Sequence, residues 1–449
     1  MNAYPRSLIR REWLAALCAS SAVFAAVTTV VSAQPPQRSW GMFATVGYSA
    51  ACLATLAVRH HGARLAVLAA LGGAVVAPLT WMAVAGQAQP EIGVITRSAA
   101  LFLHHGTPYL GTTALAAAHN PYTYDPYLPA LMVFGMPHAL FGEGLLADPR
   151  VWFGTVFAAT FGAALAVAGR HRVGWWAAAV IATPLIAFPL SVGGDDLPVL
   201  GLLCLGLAVA GADAGPRSWW RRPWRQPVAA GLILGLAAAM KATAWPALAV
   251  ALALLGARQG KRGAAMFGLA AAGIAVISAG PAIAVAPGAM VVNTIAYPLG
   301  LAKAASPAAS ALPGHLIAAT GSTGRWAAIS LVVIAGLAVA IWLLIRPPAD
   351  VHTASWRLVT GLTLLFLLAP ASRAGYFIYP LGLSAWLLLT RPSRTRPADE
   401  TSHGRTLTPT ARSRGHEPTP VALPLRSASN GVARPALARL GHETQLARY

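Results

Sequence analysis

Carboxylates are scarce in this chain of 449 residues, with Asp+Glu at 13 against Lys+Arg at 33, so each one is a candidate for chemistry. Glu91 follows an apolar run at 65–86 after a short polar linker. It opens the segment EIGVITRSAALFLHH, whose apolar residues recur at near-helical spacing. That pattern predicts an amphipathic helix lying at a membrane surface with Glu91 in its first turn. A carboxylate held there can take the proton from a hydroxyl nucleophile. The bland alternative is an acid that complements the helix dipole. The segment HGTPYLG…AHNPYTYDPYLP packs Tyr109, Tyr122, Tyr124 and Tyr127 among prolines and around Asp125. Tyrosines suit a membrane interface, and the prolines fix an irregular backbone there. Asp125 is thus a second candidate base or an acceptor for a sugar hydroxyl, with Tyr124 and Tyr127 placed to stack on a ring. Otherwise Asp125 caps a turn.

Asp195 and Asp196, in SVGGDDLP, end one apolar run and begin another. Adjacent acids can hold a substrate or a divalent metal; the metal is the less favoured reading, and Asp is also a common helix N-cap. Lys241 is a lone cation in AAAMKATAW, inside an apolar stretch. An ionisable side chain at membrane depth is a functional candidate by default, an anionic phosphate being its natural partner; the alternative is snorkelling to the interface. Arg373, in PASRAGYFIYP beside Tyr376 and Tyr379, is another candidate phosphate clamp. Arg97 and His138 complete the substrate-binding candidates.

These residues need a membrane to position them. Hydrophobic residues make up 56% of the chain and charged residues 10%, against about 25% charged in ordinary globular domains. Apolar runs of about 20 residues recur throughout, so a set of soluble domains is excluded. Residues 1–33, with Arg6, Arg10 and Arg11 ahead of an apolar run, resemble a signal peptide, but the run suits an uncleaved anchor better. Spans are expected at 13–33, 41–58, 65–86, 151–169, 174–191, 197–212, 263–286, 326–346, 356–371 and 375–390. Residues 227–257 begin and end beside basic clusters, which requires a short hairpin bent near Lys241–Pro246. Residues 127–143 are expected not to cross. The fold class is all-α, polytopic, with about 12 crossings and juxtamembrane helices in the first large outer loop.

Arginine placement sets the orientation: both termini cytoplasmic, with 87–150, 193–196 and 287–325 outside. Nine carboxylates precede the tail, and six of them, from Glu91 to Asp196, fall outside on this topology. The formal charge of +20 is largely loop and tail arginine. The tail, 391–449, is basic and Pro/Ser-rich and reads as a disordered cytoplasmic segment near anionic lipid. Basic residues spread over many loops do not make a nucleic-acid face. There is no phosphate-binding GxxxxGK[ST], no Rossmann GxGxxG after a strand and no HExxH. Cys18, Cys52 and Cys204 lack paired spacing.

An acid directly after a span, a proline-aromatic juxtamembrane segment and acids in the next outer loop together resemble the GT-C superfamily of polytopic glycosyltransferases. The chain is most similar to the actinobacterial family 87 proteins, which include polyprenol-phosphate-mannose-dependent mannosyltransferases. The residues that carry the likeness are Glu91 with RSAALFLHHGTPYL, NPYTYDPYLPALMVFGMP, DPRVWFG, PLSVGGDDLPVLGLLCLGLA and AAGLILGLAAAMKATAWP. They span about 90–250, within a core of 65–390; residues 1–64 add spans outside that core. The family acid in the first loop is usually aspartate, so Glu91 and Asp125 both stand as the base.

The resemblance implies transfer of a sugar, mannose in the nearest members, from a polyprenyl-phosphate donor to a lipid or glycan hydroxyl at the outer face of the plasma membrane. It implies inversion, a carboxylate base, phosphate contacts from Lys241 and Arg373, and no cofactor. The competing class is a transporter or flippase of a lipid-linked saccharide, which predicts paired broken helices in two halves. One broken hairpin without a counterpart ranks it second.

Overall fold

Prolines, and glycines with left-handed backbone, mark where the helices start and turn. The computed structural model describes residues 4–117, 119–170, 172–212 and 222–390. The expected tail, His171 and the basic loop around Arg217 lie outside those residues. Helix α1 is Tyr4–Val31, α2 Pro35–Ala57, α3 Gly62–Val84 and α4 Pro90–His105. There follow α5 Pro149–Val167, α6 Val173–Ile181, α7 Pro184–Val192, α8 Leu197–Gly211 and α9 Arg225–Met240. The last four are α10 Trp245–Val285, α11 Ser322–Ile345, α12 Val351–Leu368 and α13 Ile378–Thr390. No β-strand occurs among the described residues, only a single bridge between Ala309 and Ser372.

Among the described residues, seven helices are long and apolar enough to cross a membrane, or eight if α6 and α7 form one bent span. The other expected crossings fall on shorter apolar helices (α8, α9, Ala374–Thr390) and on the second limb of α10. Residues 129–141 form a short helical segment of this apolar class, packed on α4.

Two local differences from the hydropathy pattern have physical causes. The run expected at 174–191 is bent by 69° where Thr183 adopts extended backbone and Pro184 opens α7. Proline disfavours helix in the residue before it and offers no N–H to the preceding turn, so the run cannot continue straight. Helix α10 is interrupted at Gly260, whose φ of 70° is left-handed, a conformation glycine adopts without steric cost. The expected hairpin is thus α9 and the first limb of α10, folded back at 241–244, and the limb after Gly260 rises again beside α9.

What holds α9 to that second limb is small-residue packing. Gly231 and Gly235 form a G-x-x-x-G stripe; a Cβ on Gly231 would lie 2.4 Å from the Phe267 carbonyl oxygen and one on Gly235 2.8 Å from the Ala271 Cα. In lipid there is no apolar driving force between helices, so this close backbone approach is how they adhere. The core runs through α1, α2, α3, α5, α8, α9, α10, α12 and α13, and includes Trp40, Phe157 and Trp386. The first two helices belong to it: the Tyr48 hydroxyl donates to the Ala182 carbonyl at 2.9 Å.

Candidate active site

At one end of the bundle, hydrogen bonds tie three loops together. Gln89 N–H donates to the Val192 carbonyl at 2.9 Å, seating the start of α4 on the end of α7. Leu128 N–H donates to the Met240 carbonyl at 3.0 Å, seating the Tyr127 loop on the last turn of α9. Each bond uses a carbonyl that a helix C-terminus leaves unpaired. Arg150, 1% exposed, is a third tie: it donates to Asp148 and, through Nη1, to the carbonyls of Gln87 and Ser191, both at 2.9 Å. Sequence reading missed Arg150, although an arginine just inside an apolar run is the kind of residue that must find buried acceptors.

Gly194, with φ of 67°, makes the turn that presents Asp195 and Asp196. Asp196 precedes α8 but does not cap it. Its Oδ1 accepts from Lys241 Nζ at 2.5 Å and from the Tyr379 hydroxyl at 2.7 Å. Asp195 Oδ2 lies 2.9 Å from the same ammonium, a charge contact rather than a directed bond. Thr243 donates to the Tyr379 oxygen at 3.2 Å. Lys241 sits at the break between α9 and α10, 6% exposed, with Nζ 4.9 Å from the centre of the Tyr127 ring. The lysine therefore does not snorkel. The break frees its backbone from helix and aims it at two carboxylates.

Beside this cluster lies a cleft lined by Glu91, Tyr122, Tyr127, Tyr297, Arg373 and Tyr376, among others, with about 580 Å³ between atoms including its open mouth. Glu91, at the second position of α4, pairs with Arg373 Nη1. Arg373 is in extended backbone held by the loop at 309–310: Ser310 N–H donates to the Ser372 carbonyl and Ala374 N–H to the Ser310 hydroxyl, both at 3.0 Å. Tyr124 also lines the cleft, stacked on Tyr297 at 4.6 Å between ring centres.

Asp125 lies under the cleft wall, 5% exposed. One carboxylate oxygen accepts from Ser98 at 2.6 Å and the other from Tyr127 N–H at 2.9 Å. Its own N–H donates to Asn293 Oδ1 at 2.7 Å. Burial pushes its carboxyl up to about 6, while the Ser98 and Tyr127 bonds pull the other way. Arg97 Nη2 donates to the Tyr122 and Thr123 carbonyls at 2.9 and 3.2 Å, supporting the same loop. His138 stands apart, 3.9 Å from the exposed Glu143.

The structure thus separates the candidates. Glu91, Arg373, Tyr124 and Tyr127 share the cleft; Lys241, Asp195 and Asp196 form a buried cluster behind Tyr127; Asp125 and Arg97 hold the loop between. Asn293 and Tyr297 were missed, yet a lone amide in the apolar stretch PGAMVVNTIAYP was a legible signal.

Among known proteins, residues 122–370 match the sequence model of glycosyltransferase family 87, a stretch covering more than half of the chain. The match contains Asp125, Asp195, Asp196 and Lys241 but stops short of Glu91 and Arg373, which the fold brings to the same place. Neither the curated proteins nor the solved structures give a match. With seven or eight membrane-length helices and no strand among the described residues, and with this match, the chain is a membrane glycosyltransferase and belongs to glycosyltransferase family 87.

Proposed function

We propose that the cleft transfers a sugar, mannose by the family resemblance, from a polyprenyl-phosphate donor to a hydroxyl of a lipid or glycan acceptor at the outer face of the plasma membrane. The observation that carries this reading is the Glu91–Arg373 pair in an aromatic-walled cleft at the end of an apolar bundle. A lipid donor reaches such a site from the bilayer, with its phosphate at the level of the arginine and its sugar among the tyrosines. The arginine-rich ends, Arg258, Arg346 and Arg357, lie away from the cleft, which supports an outward-facing site.

Glu91 is the base in this reading, because it lines the cleft, whereas both oxygens of Asp125 are engaged below it. Arg373 grips Glu91 through Nη1; a donor phosphate recruits the guanidinium and releases the carboxylate. Glu91 takes the acceptor O–H proton as that oxygen bonds to the anomeric carbon with inversion. The bond from that carbon to the phosphate oxygen breaks, and its electron pair leaves on the polyprenyl phosphate, whose charge Arg373 stabilises. Lys241, already matched to two carboxylates, acts here as a buttress for Tyr127 rather than as the phosphate clamp. A divalent ion at Asp195 and Asp196 would compete with that ammonium, so the reading includes no metal.

Transfer of label from polyprenyl-phosphate mannose to lipid-extractable or glycan products in membranes tests the reading. Wild type is expected to transfer and Glu91→Gln to fail. Transfer from a nucleotide sugar in membranes stripped of polyprenyl phosphate would overturn the donor, and full activity of Glu91→Gln would overturn the base.

A further inference from the structure

A second cavity, apolar in its lining, shares no residue with the cleft. It is a lateral groove between the first limb of α10, α11 and α12, lined by Ala249, Val250, Gly336, Val339, Leu358 and Leu365 and by Arg357. About 690 Å³ lies between its atoms, open side included. Along α11 it runs from Val332 to Leu343, about 16 Å at 1.5 Å per residue. That is half of a hydrocarbon core of about 30 Å, the reach of one leaflet.

Arg357 stands at the end of the bundle opposite the cleft. Gly211, at the far end of α8 from Asp196, packs against Val351 at the start of α12, and Arg357 follows in the next turns. Arg357 is 7% exposed, its Nη1 donates to the Arg346 carbonyl, and its guanidinium lies 4.8 Å from the centre of the Trp342 ring. Its Nε is buried without an acceptor, and no described carboxylate pairs with it. A buried, permanently charged group with an unused donor calls for an anion, and the apolar groove above it calls for a hydrocarbon chain.

We propose that this groove binds one anionic phospholipid, its acyl chain lying along α11 and its headgroup phosphate on Arg357, in the leaflet opposite the cleft. Charge selects the occupant: a zwitterionic lipid carries its own cation and gains less from the arginine. The small residues Gly336 and Ala249 leave the width for the chain, and a Cβ on Gly336 would meet no atom within 4 Å. A larger side chain there fills the groove without disturbing the helices.

The full-length protein, reconstituted in nanodiscs of mixed phosphatidylglycerol and phosphatidylcholine and then moved to detergent, is analysed for retained lipid by mass spectrometry. Wild type is expected to retain phosphatidylglycerol preferentially, and Arg357→Gln and Gly336→Leu each to retain about tenfold less, the loss that 1.4 kcal/mol of binding produces. Gly336→Leu keeps the arginine, so its loss cannot be ascribed to a disturbed charge. Equal retention by wild type and both variants, or equal retention of phosphatidylcholine, would overturn the site. Recovery of polyprenyl phosphate in place of phospholipid would overturn the occupant and extend the donor's path instead. The outcome does not depend on transferase activity.

Discussion

Glu91 and Asp125 lie 34 positions apart in one segment, yet the fold gives them opposite surroundings. Glu91 opens a helix after a proline, so its side chain projects from an N-terminal turn into the cleft, where it meets Arg373. Asp125 lies in the loop just before Pro126, and its carboxylate turns inward: the Ser98 hydroxyl on α4 and the Tyr127 N–H on its own loop occupy both oxygens. The first acid has an exchangeable partner and open space; the second has fixed partners and none. A carboxylate's role follows from whether its acceptors are committed, and proximity to the reacting groups is not enough. Tyr127 links the two settings, since its N–H bonds Asp125 while its ring walls the cleft and faces Lys241.

The contrast breaks most directly at Glu91. Glu91→Gln preserves shape and removes the proton acceptor, so transfer is expected to fall by about 10²–10⁴-fold, the range for a positioned general base. Thermal unfolding in detergent should move little. If Asp125→Asn loses as much activity as Glu91→Gln, the distinction between the two acids fails.

The next largest effect belongs to the buttress. Lys241→Ala leaves Asp195 and Asp196 buried without their counter-charge, which costs on the order of 3–5 kcal/mol. Thermal unfolding should report that loss, and adding Asp195→Asn and Asp196→Asn should recover much of it, since the triple variant buries no unpaired charge. An unchanged midpoint in Lys241→Ala would mean that the cluster is solvated rather than structural.

Arg373→Gln sharpens the other half of the pair. Loss of a charged donor to a developing anion costs about 10²-fold in turnover, and KM for the lipid donor should rise with it. A change confined to the acceptor's KM would place the arginine on the wrong substrate.

How much of this is legible in the sequence depends on the range of the interaction. The hairpin bent at Lys241 followed from basic residues at both ends of one apolar run, because charge placement is a local property. That 127–143 breaks into short helical turns followed from its prolines and Gly135. The bend at Thr183–Pro184 was less visible, because hydropathy averages over the proline and sees one continuous run. The site pairings were not legible at all: Glu91 meets Arg373 across 282 positions, and Lys241 meets Asp196 across 45. Residue type marked each of these as unusual, but only packing decides which charge neutralises which. Lys241 accordingly read as a free cation for a phosphate, although it is already matched.

The smallest effect separates burial from chemistry at Asp125. Its carboxyl is raised by burial from the ordinary 3.8 to about 6, so between those values the folded chain holds a proton that the unfolded chain has released. Stability from this group is therefore fully present below pH 3.8 and declines as pH rises through about 6, by on the order of 3 kcal/mol. Asparagine in that place can accept from the Tyr127 N–H and donate to Ser98, but it does not titrate. The melting temperature of Asp125→Asn relative to wild type should accordingly climb between pH 4 and 6 and level off above. Transfer at neutral pH should stay within about 5-fold of wild type, a barrier change of about 1 kcal/mol. A gap between the two melting curves that is constant with pH would show that the carboxylate is not desolvated, and the assignment of Asp125 to the loop rather than to the chemistry would lose its physical basis.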